Sequence, residues 1–276
     1  MTTQLRAAVL GSPIAHSLSP VLHRAAYAAL GMTERRYDRF DVDEAGLPEF
    51  IERIDPAEWA GLSLTMPLKR AIIPLVDEVS ETALAVDAVN TVVFRADGHR
   101  SGDNTDVPGL VNALRERGIG RVRAASVLGA GATASSALAA LAQICDGEVT
   151  VYVRSAGRAA EMQALGERLG LRLRTAAWDR GVEALAAPLT ISTTPVGATD
   201  GFAGALTDAP GALFDVLYHP WPTKLAEACA ERGATVLGGL DLLLHQAVLQ
   251  FEAFTGAEAA PLAAMREAGE AALAGS

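Results

Sequence analysis

The stretch Ser126-Val127-Leu128-Gly129-Ala130-Gly131-Ala132-Thr133-Ala134 constrains the fold of this chain more than any other. An apolar run meets two glycines and then an alanine-rich segment, the pattern of a buried strand turning sharply into a helix. Gly129 allows the tight turn, Gly131 lets the backbone approach a pyrophosphate, and Ala134 is small enough for the helix to pack on the strand. The helix has separate support. Ala134, Ala137, Leu138, Leu141, Ala142 and Cys145 fall at i, i+3, i+4, i+7, i+8 and i+11, a single apolar stripe. The free amides of its first turn then face the glycines and suit a phosphate. Alanine- and glycine-rich turns of this kind also occur without a nucleotide, so the next strand carries the decision.

That strand is Glu148-Val149-Thr150-Val151-Tyr152-Val153, followed by Arg154, Ser155 and Arg158. An NAD site places Asp or Glu here, about 20 residues past the glycines, to accept from the ribose 2′-hydroxyl. Two guanidiniums and a hydroxyl suit a 2′-phosphate instead, because Arg binds phosphate through a charge-assisted fork. The plainer alternative is a solvated basic strand end. The formal net charge of the chain is −10, which argues against nucleic acid or an anionic membrane as partner and makes any phosphate binding local.

At 276 residues the chain is long for one core and suits two domains. Half of its residues are hydrophobic and 20% charged, a globular composition. Cys145 and Cys229 both fall on apolar helical stripes and read as small buried hydrophobes, not as a disulfide or metal pair. The N-terminus carries no signal pattern and no long apolar run occurs, so a cytoplasmic protein is expected. The histidines at 16, 23, 99, 219 and 245 show no ligand spacing, and no metal is assigned.

The first half alternates strands and helices. Ala7 to Leu10 is a short strand running into Gly11-Ser12-Pro13-Ile14-Ala15-His16-Ser17-Leu18-Ser19-Pro20. Ser19 before Pro20 predicts an N-cap with proline at the first helical position, and the helix buries Leu22, Ala25, Ala26 and Ala29 before stopping at Gly31. Ser17 and Ser19 beside a helix N-terminus suit a carboxylate; the plainer reading is a turn residue and a cap. The strand Gly61 to Thr65 ends in Met66-Pro67-Leu68-Lys69, which puts Thr65 and Lys69 at the ligand-binding edge of a parallel sheet, although a solvated lysine is the usual alternative. Ala88 to Phe94 is an apolar strand with Asn90 in its middle, an amide that must find partners. Gly102-Asp103-Asn104-Thr105-Asp106 then leads into a helix from Val107.

These segments together resemble the shikimate dehydrogenases. Gly11 to Pro20, Thr65-Met66-Pro67-Leu68-Lys69, Ala88-Val89-Asn90-Thr91, Asn104-Thr105-Asp106, the Gly129 turn, Arg154 to Arg158, Asp215-Val216-Leu217-Tyr218 and Gly239 with Gln246 follow the family's order and spacing across essentially the whole chain. The resemblance implies an α/β protein. Residues 1–106 and 239–276 would form a discontinuous substrate-binding and catalytic domain, residues 107–238 a Rossmann-like doubly wound NADP-binding domain, with a deep cleft between them.

It further implies that Lys69 and Asp106 are the catalytic pair and that Ser17, Ser19 and Tyr218 hold a substrate carboxylate. Thr65, Asn90, Asp106 and Gln246 would bond ring hydroxyls. Gly129, Ala130, Gly131, Ala132, Thr133, Arg154, Ser155, Arg158, Thr193, Val216 and Gly239 would contact NADP(H). A lysine ammonium can both stabilise a developing alkoxide and protonate it, which is what ketone reduction requires. The chain departs from the family at Ser63, where Asn is usual, at Ala132, where a third glycine is common, and at Val153 and Ser155, which replace Asn and Thr.

The implied activity is NADPH-dependent reduction of 3-dehydroshikimate to shikimate, by a monomer or homodimer. The alternatives are an NAD-dependent quinate/shikimate dehydrogenase and a non-catalytic NADP-sensing module. By periodicity alone Gln246 lies opposite the stripe Leu240, Leu243, Leu244, Ala247, Val248 and Phe251 and faces solvent; only the resemblance makes it a ligand.

Overall fold

Strands and helices alternate along nearly the whole chain, and the computed structural model describes residues 5–207 and 209–275. The chain divides into two units, Met1–Asp106 with Leu243–Ser276, and Val107–Leu242.

The first unit contains β1 (Leu5–Gly11), α1 (Ser19–Ala29), β2 (Arg35–Asp41), α2 (Leu47–Glu52), β3 (Trp59–Leu64), α3 (Leu68–Ala71), β4 (Glu78–Val79), α4 (Glu81–Val86), β5 (Thr91–Phe94) and β6 (Arg100–Asp103). Its six-stranded sheet has the order β2-β1-β3-β5-β6-β4. β1 is parallel to β2 and β3, whereas β5 runs antiparallel to both β3 and β6. Period-two alternation along β1 builds a core on each sheet face. Ala8 and Leu10 pack with Leu47, Ile51, Leu68 and Ile72 on one side. Ala7 and Val9 pack with Leu22, Ala26, Phe251 and Met265 on the other.

In the second unit, α5 (Asp106–Glu116) leads to β7 (Val122–Leu128), α6 (Ala132–Ile144), β8 (Cys145–Val153), α7 (Ala156–Arg168) and β9 (Arg172–Ala177). A 3-10 helix (Trp178–Ala186), β10 (Leu189–Ser192), α8 (Asp200–Ala205), β11 (Ala212–Asp215), α9 (Lys224–Glu231) and β12 (Val236–Leu237) follow. The sheet is parallel throughout, in the order β12-β11-β10-β7-β8-β9. Counted from β7 and read from the other end this is 3-2-1-4-5-6, the doubly wound Rossmann order. The order reverses between β7 and β10, and the Gly129 turn and Thr193 follow the C-terminal ends of those two strands. Last come α10 (Gly239–Thr255) and α11 (Leu262–Ala274).

Local expectations are corrected in several places. Ser19 is the first residue of α1; the N-cap is Leu18, whose side chain has no acceptor to offer, and the Ser19 amide donates to Ser17 Oγ at 3.4 Å. α1 buries Leu22, His23, Ala26 and Tyr27, while Ala29 is exposed. α6 is not a stripe: every residue from Ala134 to Leu141 is buried, and Ala142 is exposed. Cys145 opens β8 half-exposed, whereas Cys229 is buried on α9, its thiol pushed up to about 11 by burial. Asn90 stands just before β5, not in its middle. Gln246 is buried, against its helical phase, because α10 is covered on more than one face. Among the described residues no helix is long and apolar enough to cross a membrane, and no group of three or more His, Cys, Asp or Glu is placed to hold a metal.

The second core of the first unit encloses His23, fully buried and stacked on Tyr37 with ring centroids 4.0 Å apart. Neither ring nitrogen has a hydrogen-bond partner among the described residues. Burial holds its pKa down at about 3, only partly opposed by the nearby Gln250 amide. The unfolded chain, with His near 6.5, therefore takes up a proton that the native state refuses. This contribution to stability is complete above about pH 6.5 and falls by roughly 1.4 kcal/mol per pH unit as the pH drops toward 3. His23→Phe keeps a ring in the stack and removes the proton site. Its urea-unfolding free energy is expected to fall less steeply than that of the native protein between pH 6 and pH 4; parallel curves would contradict a buried neutral imidazole.

Candidate active site

Sheet topology gathers four separated segments of the first unit. The C-terminal ends of β1, β3 and β6 and the N-terminal end of the antiparallel β5 share one edge, as the pairs Leu10 with Leu64, Ser63 with Thr91 and Thr91 with Asp103 require. Thr65 donates its amide to Leu10 at 2.9 Å, and Ser12 donates to the Met66 carbonyl at 3.0 Å, tying the segments after β1 and β3 together. Val89 donates to the Lys69 carbonyl at 2.8 Å, which fixes the backbone of the short α3 against the approach to β5.

Lys69 and Asp106 form an ion pair at 2.5 Å, with side chains only 14% and 8% exposed. Asp106 is the first residue of α5, where the helix dipole favours its charge. Its other oxygen accepts from Asn90 Nδ2 at 2.8 Å. Asn90 Oδ1 accepts from the Thr105 amide at 2.8 Å and from the Thr91 hydroxyl at 2.8 Å. A backbone amide can only donate, so the carboxamide of Asn90 cannot turn over. Asn104 Nδ2 donates to the Ala88 carbonyl at 2.8 Å and closes the loop after β6. The structure thus brings Lys69, Asp106 and Asn90 into direct contact, with Thr65 on the same edge.

Ser17 and Ser19 follow β1 at that edge, Ser17 half-buried and Ser19 4% exposed. The Ser17 oxygen accepts from the Ser19 amide, so its O–H remains a donor for a ligand. Gln246, on α10, donates Nε2 to the Leu243 carbonyl at 2.8 Å. Tyr218 belongs to the second unit, half-buried, and burial pushes its phenol up.

At the order reversal of the second sheet, Gly129 has φ +113, and a Cβ there would lie 2.5 Å from Thr193 Oγ1. Thr193 is held by its hydroxyl and its amide, both donating to the Leu128 carbonyl at 3.0 and 2.9 Å. α6 starts from Gly131 with no side-chain cap, and a Cβ on Gly131 would meet nothing within 4 Å. Uncapped amides over open space fit a phosphate. Ala132 is already helical, so a third glycine is not needed there. A Cβ on Gly239 would lie 2.1 Å from the Val216 carbonyl, which explains why these two positions go together.

Beyond β8, Arg154 lays its guanidinium 4.9 Å above the Trp178 ring. Ser155 caps α7 by accepting from the Arg158 amide, and Arg158 pairs with Glu161 at 2.6 Å, both half-exposed. Asp215 belongs to the Asp215-Val216-Leu217-Tyr218 motif, but the resemblance gave it no role of its own. Fully buried at the end of β11, it accepts from the Thr223 hydroxyl at 2.8 Å and braces the segment that carries Val216 and Tyr218; burial pushes its carboxyl up. Its position at the end of an apolar strand was the available signal.

Three comparisons bear on this geometry. The family model described as shikimate dehydrogenase substrate binding domain matches residues 9–92, and the shikimate 5′-dehydrogenase C-terminal domain matches residues 239–268. The NADP-dependent shikimate dehydrogenase of Methylobacterium radiotolerans is 38% identical over 264 residues, 91% of each chain. The crystal structure of Mycobacterium tuberculosis shikimate dehydrogenase is 42% identical with a TM-score of 0.89, covering 97% of this chain and 99% of that one. The Thermus thermophilus enzyme in complex with NADP(H) and shikimate is 35% identical with a TM-score of 0.84, covering 97% and 99%.

Gly129→Ala forces a Cβ into the left-handed region and against Thr193. It is expected to lower the unfolding free energy by about 1–3 kcal/mol, read as a drop in melting temperature. An unchanged melting temperature would mean that the turn relaxes without cost.

Proposed function

The chain belongs to the shikimate dehydrogenase family, and from that membership we propose that it catalyses the reversible NADPH-dependent reduction of 3-dehydroshikimate to shikimate. The observation that carries the reading is the Lys69–Asp106 ion pair, held by Asn90 on the sheet edge of the unit that the substrate-binding family model matches. On this reading residues 1–106 and 239–276 bind the substrate and carry the chemistry, and residues 107–238 bind the dinucleotide. The partners are small molecules, the assembly is a monomer or homodimer, and the enzyme resides in the cytoplasm, where soluble biosynthetic enzymes of this class work.

Ser17 and Ser19 donate their hydroxyl protons to the substrate carboxylate. Thr65, Asn90, Asp106 and Gln246 bond the ring hydroxyls and set the ring's orientation. Bound NADPH supplies the hydride that reduces the ketone. Lys69 Nζ donates a proton to the oxygen that becomes an alkoxide and is left as a neutral amine, which recovers its proton from solvent. In the oxidative direction the neutral amine removes the hydroxyl proton. Asp106 accepts from Lys69 and keeps the ammonium aimed at that oxygen. In the second unit the Gly129 to Thr133 turn and the uncapped α6 amides hold the pyrophosphate, with Thr193, Val216 and Gly239 lining the strand ends beside it. Arg154, Ser155 and Arg158 hold the 2′-phosphate.

Lys69→Ala is expected to lower kcat for shikimate oxidation by roughly 100-fold with little change in shikimate affinity, the scale of a lost general acid or base. Steady-state kinetics with shikimate and NADP test this, and a near-normal kcat would remove Lys69 from the mechanism. Arg154→Asp deletes an attraction for the 2′-phosphate, adds a repulsion and supplies an acceptor for a ribose hydroxyl. The ratio of kcat/KM for NADP to that for NAD is expected to fall below one. An unchanged ratio would place the phosphate elsewhere.

A further inference from the structure

Asn90 and Asp106 are joined to a longer series of buried side chains that the proposed chemistry does not itself use. Tyr37 donates its phenol to Ser63 Oγ at 2.6 Å, and Ser63 donates to Gln250 Oε1 at 2.7 Å. Gln250 Nε2 donates to the Thr91 hydroxyl at 3.0 Å and to the Asn90 carbonyl at 3.1 Å. Thr91 spends its own proton on Asn90 Oδ1 at 2.8 Å, and Asn90 Nδ2 donates to Asp106 Oδ1 at 2.8 Å. The carbonyl of Asn90 can only accept, which fixes the amide of Gln250; the amide of Thr105 can only donate, which fixes that of Asn90. With both ends fixed, the Ser63 hydroxyl has one direction left, and the one alternative contact of the Thr91 hydroxyl among the described residues, Thr105 Oγ1 at 3.2 Å, itself lies 3.1 Å from Asn90 Oδ1. Burial keeps the Tyr37 phenol protonated, so the series begins with a donor.

We infer that Gln250 and Thr91 are positioning residues for the Lys69–Asp106 pair, the middle of a one-way run of buried hydrogen bonds from Tyr37 that ends on the Asp106 carboxylate. The inference rests on the proposed role of that pair. Tyr37 and Thr91 are at most 1% exposed, Gln250 is 1% exposed and Ser63 4%, so water cannot replace a missing member. Hydrogen bonds aligned in one sense polarise one another in a low dielectric. Their sum reaches Asp106 through one amide, Asn90 Nδ2. Gln250 comes from α10 and joins Ser63 of β3 and Thr91 of β5 by their side chains and Asn90, 160 residues away, by its backbone carbonyl. The second proton of the Gln250 amide goes to the hydroxyl that orients Asn90.

The test compares Gln250→Met, Thr91→Val and Thr91→Ser, all close in volume to the native side chains, by steady-state kinetics, equilibrium binding of shikimate and thermal unfolding. Gln250→Met and Thr91→Val are expected to lower kcat by roughly 10-fold, the scale of a small misplacement of reacting groups, with KM and Kd for shikimate within about 2-fold. Thr91→Ser restores the hydroxyl and is expected to keep kcat within about 2-fold of the native enzyme. Native kcat in Thr91→Val, or an equal loss in Thr91→Ser and Thr91→Val, would overturn the inference, as would a rise in KM with kcat unchanged. If Gln250→Met does not fold, the two Thr91 variants decide. Lys69→Ala, run alongside, separates the readings: full turnover in that variant sinks the proposed chemistry, whereas its loss together with native kcat in Thr91→Val sinks only the positioning role.

Discussion

An ammonium and a carboxylate taken together out of water are stable only if the groups around them replace the water they lose. The Lys69–Asp106 pair meets that demand with 14% and 8% of its side chains exposed. Desolvating each ion costs several kcal/mol, and leaving one of them unpaired typically costs about 3–5 kcal/mol. Asp106 recovers part of this from Asn90 and part from its place at the start of α5. The rest of the first unit's edge follows from the same need. Asn90 is oriented by Thr105 and Thr91, and the loop that brings in Thr105 and Asp106 is closed by Asn104.

Strand direction makes the arrangement possible. β5 is antiparallel to β3, so its N-terminal end, not its C-terminal end, lies beside the segments that follow β1 and β3. A parallel β5 of the same length would have carried Asn90 roughly 13 Å away, at about 3.3 Å per residue. The second sheet reaches a comparable result by other means. All of its strands are parallel, and the reversal of order between β7 and β10 opens space beside the Gly129 turn.

Charge is handled locally. Against a net charge of −10, Arg154 sits with its guanidinium carbon 4.9 Å over the Trp178 ring, a cation–π contact that restrains it. Arg158 is held by Glu161 in a half-exposed pair, a contact worth about 1 kcal/mol or less, so a stronger anion can displace it at little cost. The two arginines therefore differ: one is restrained, and the other is easily recruited.

Elements whose form depends on backbone geometry or short-range pattern were legible in the sequence. The Gly129 turn, the helix after it, the arginines beyond the second strand and the sequence of separated motifs all rest on neighbours within a few positions, where sterics and periodicity act. A Ser-Pro pair is compatible with both N-cap and first-turn positions, and the structure puts Ser19 in the first turn, its amide donating to Ser17 Oγ. Periodicity alone turns Gln246 to solvent, and only the resemblance made it a ligand; α10 is buried on more than one face, and Gln246 is buried with it. Ser63 showed only as a departure from the family pattern, Thr91 only as a member of a motif, and Gln250 not at all: a serine, a threonine and a glutamine carry chemistry only through the partners they meet. Sequence by itself determined the α/β class, the phosphate-suited turn and the residue types at the edge, because local sterics and periodicity encode these. Tertiary structure alone decided that Lys69, Asp106, Asn90 and Gln250 form one connected buried system, because hydrogen bonds between residues as much as 160 positions apart depend on strand direction and helix burial.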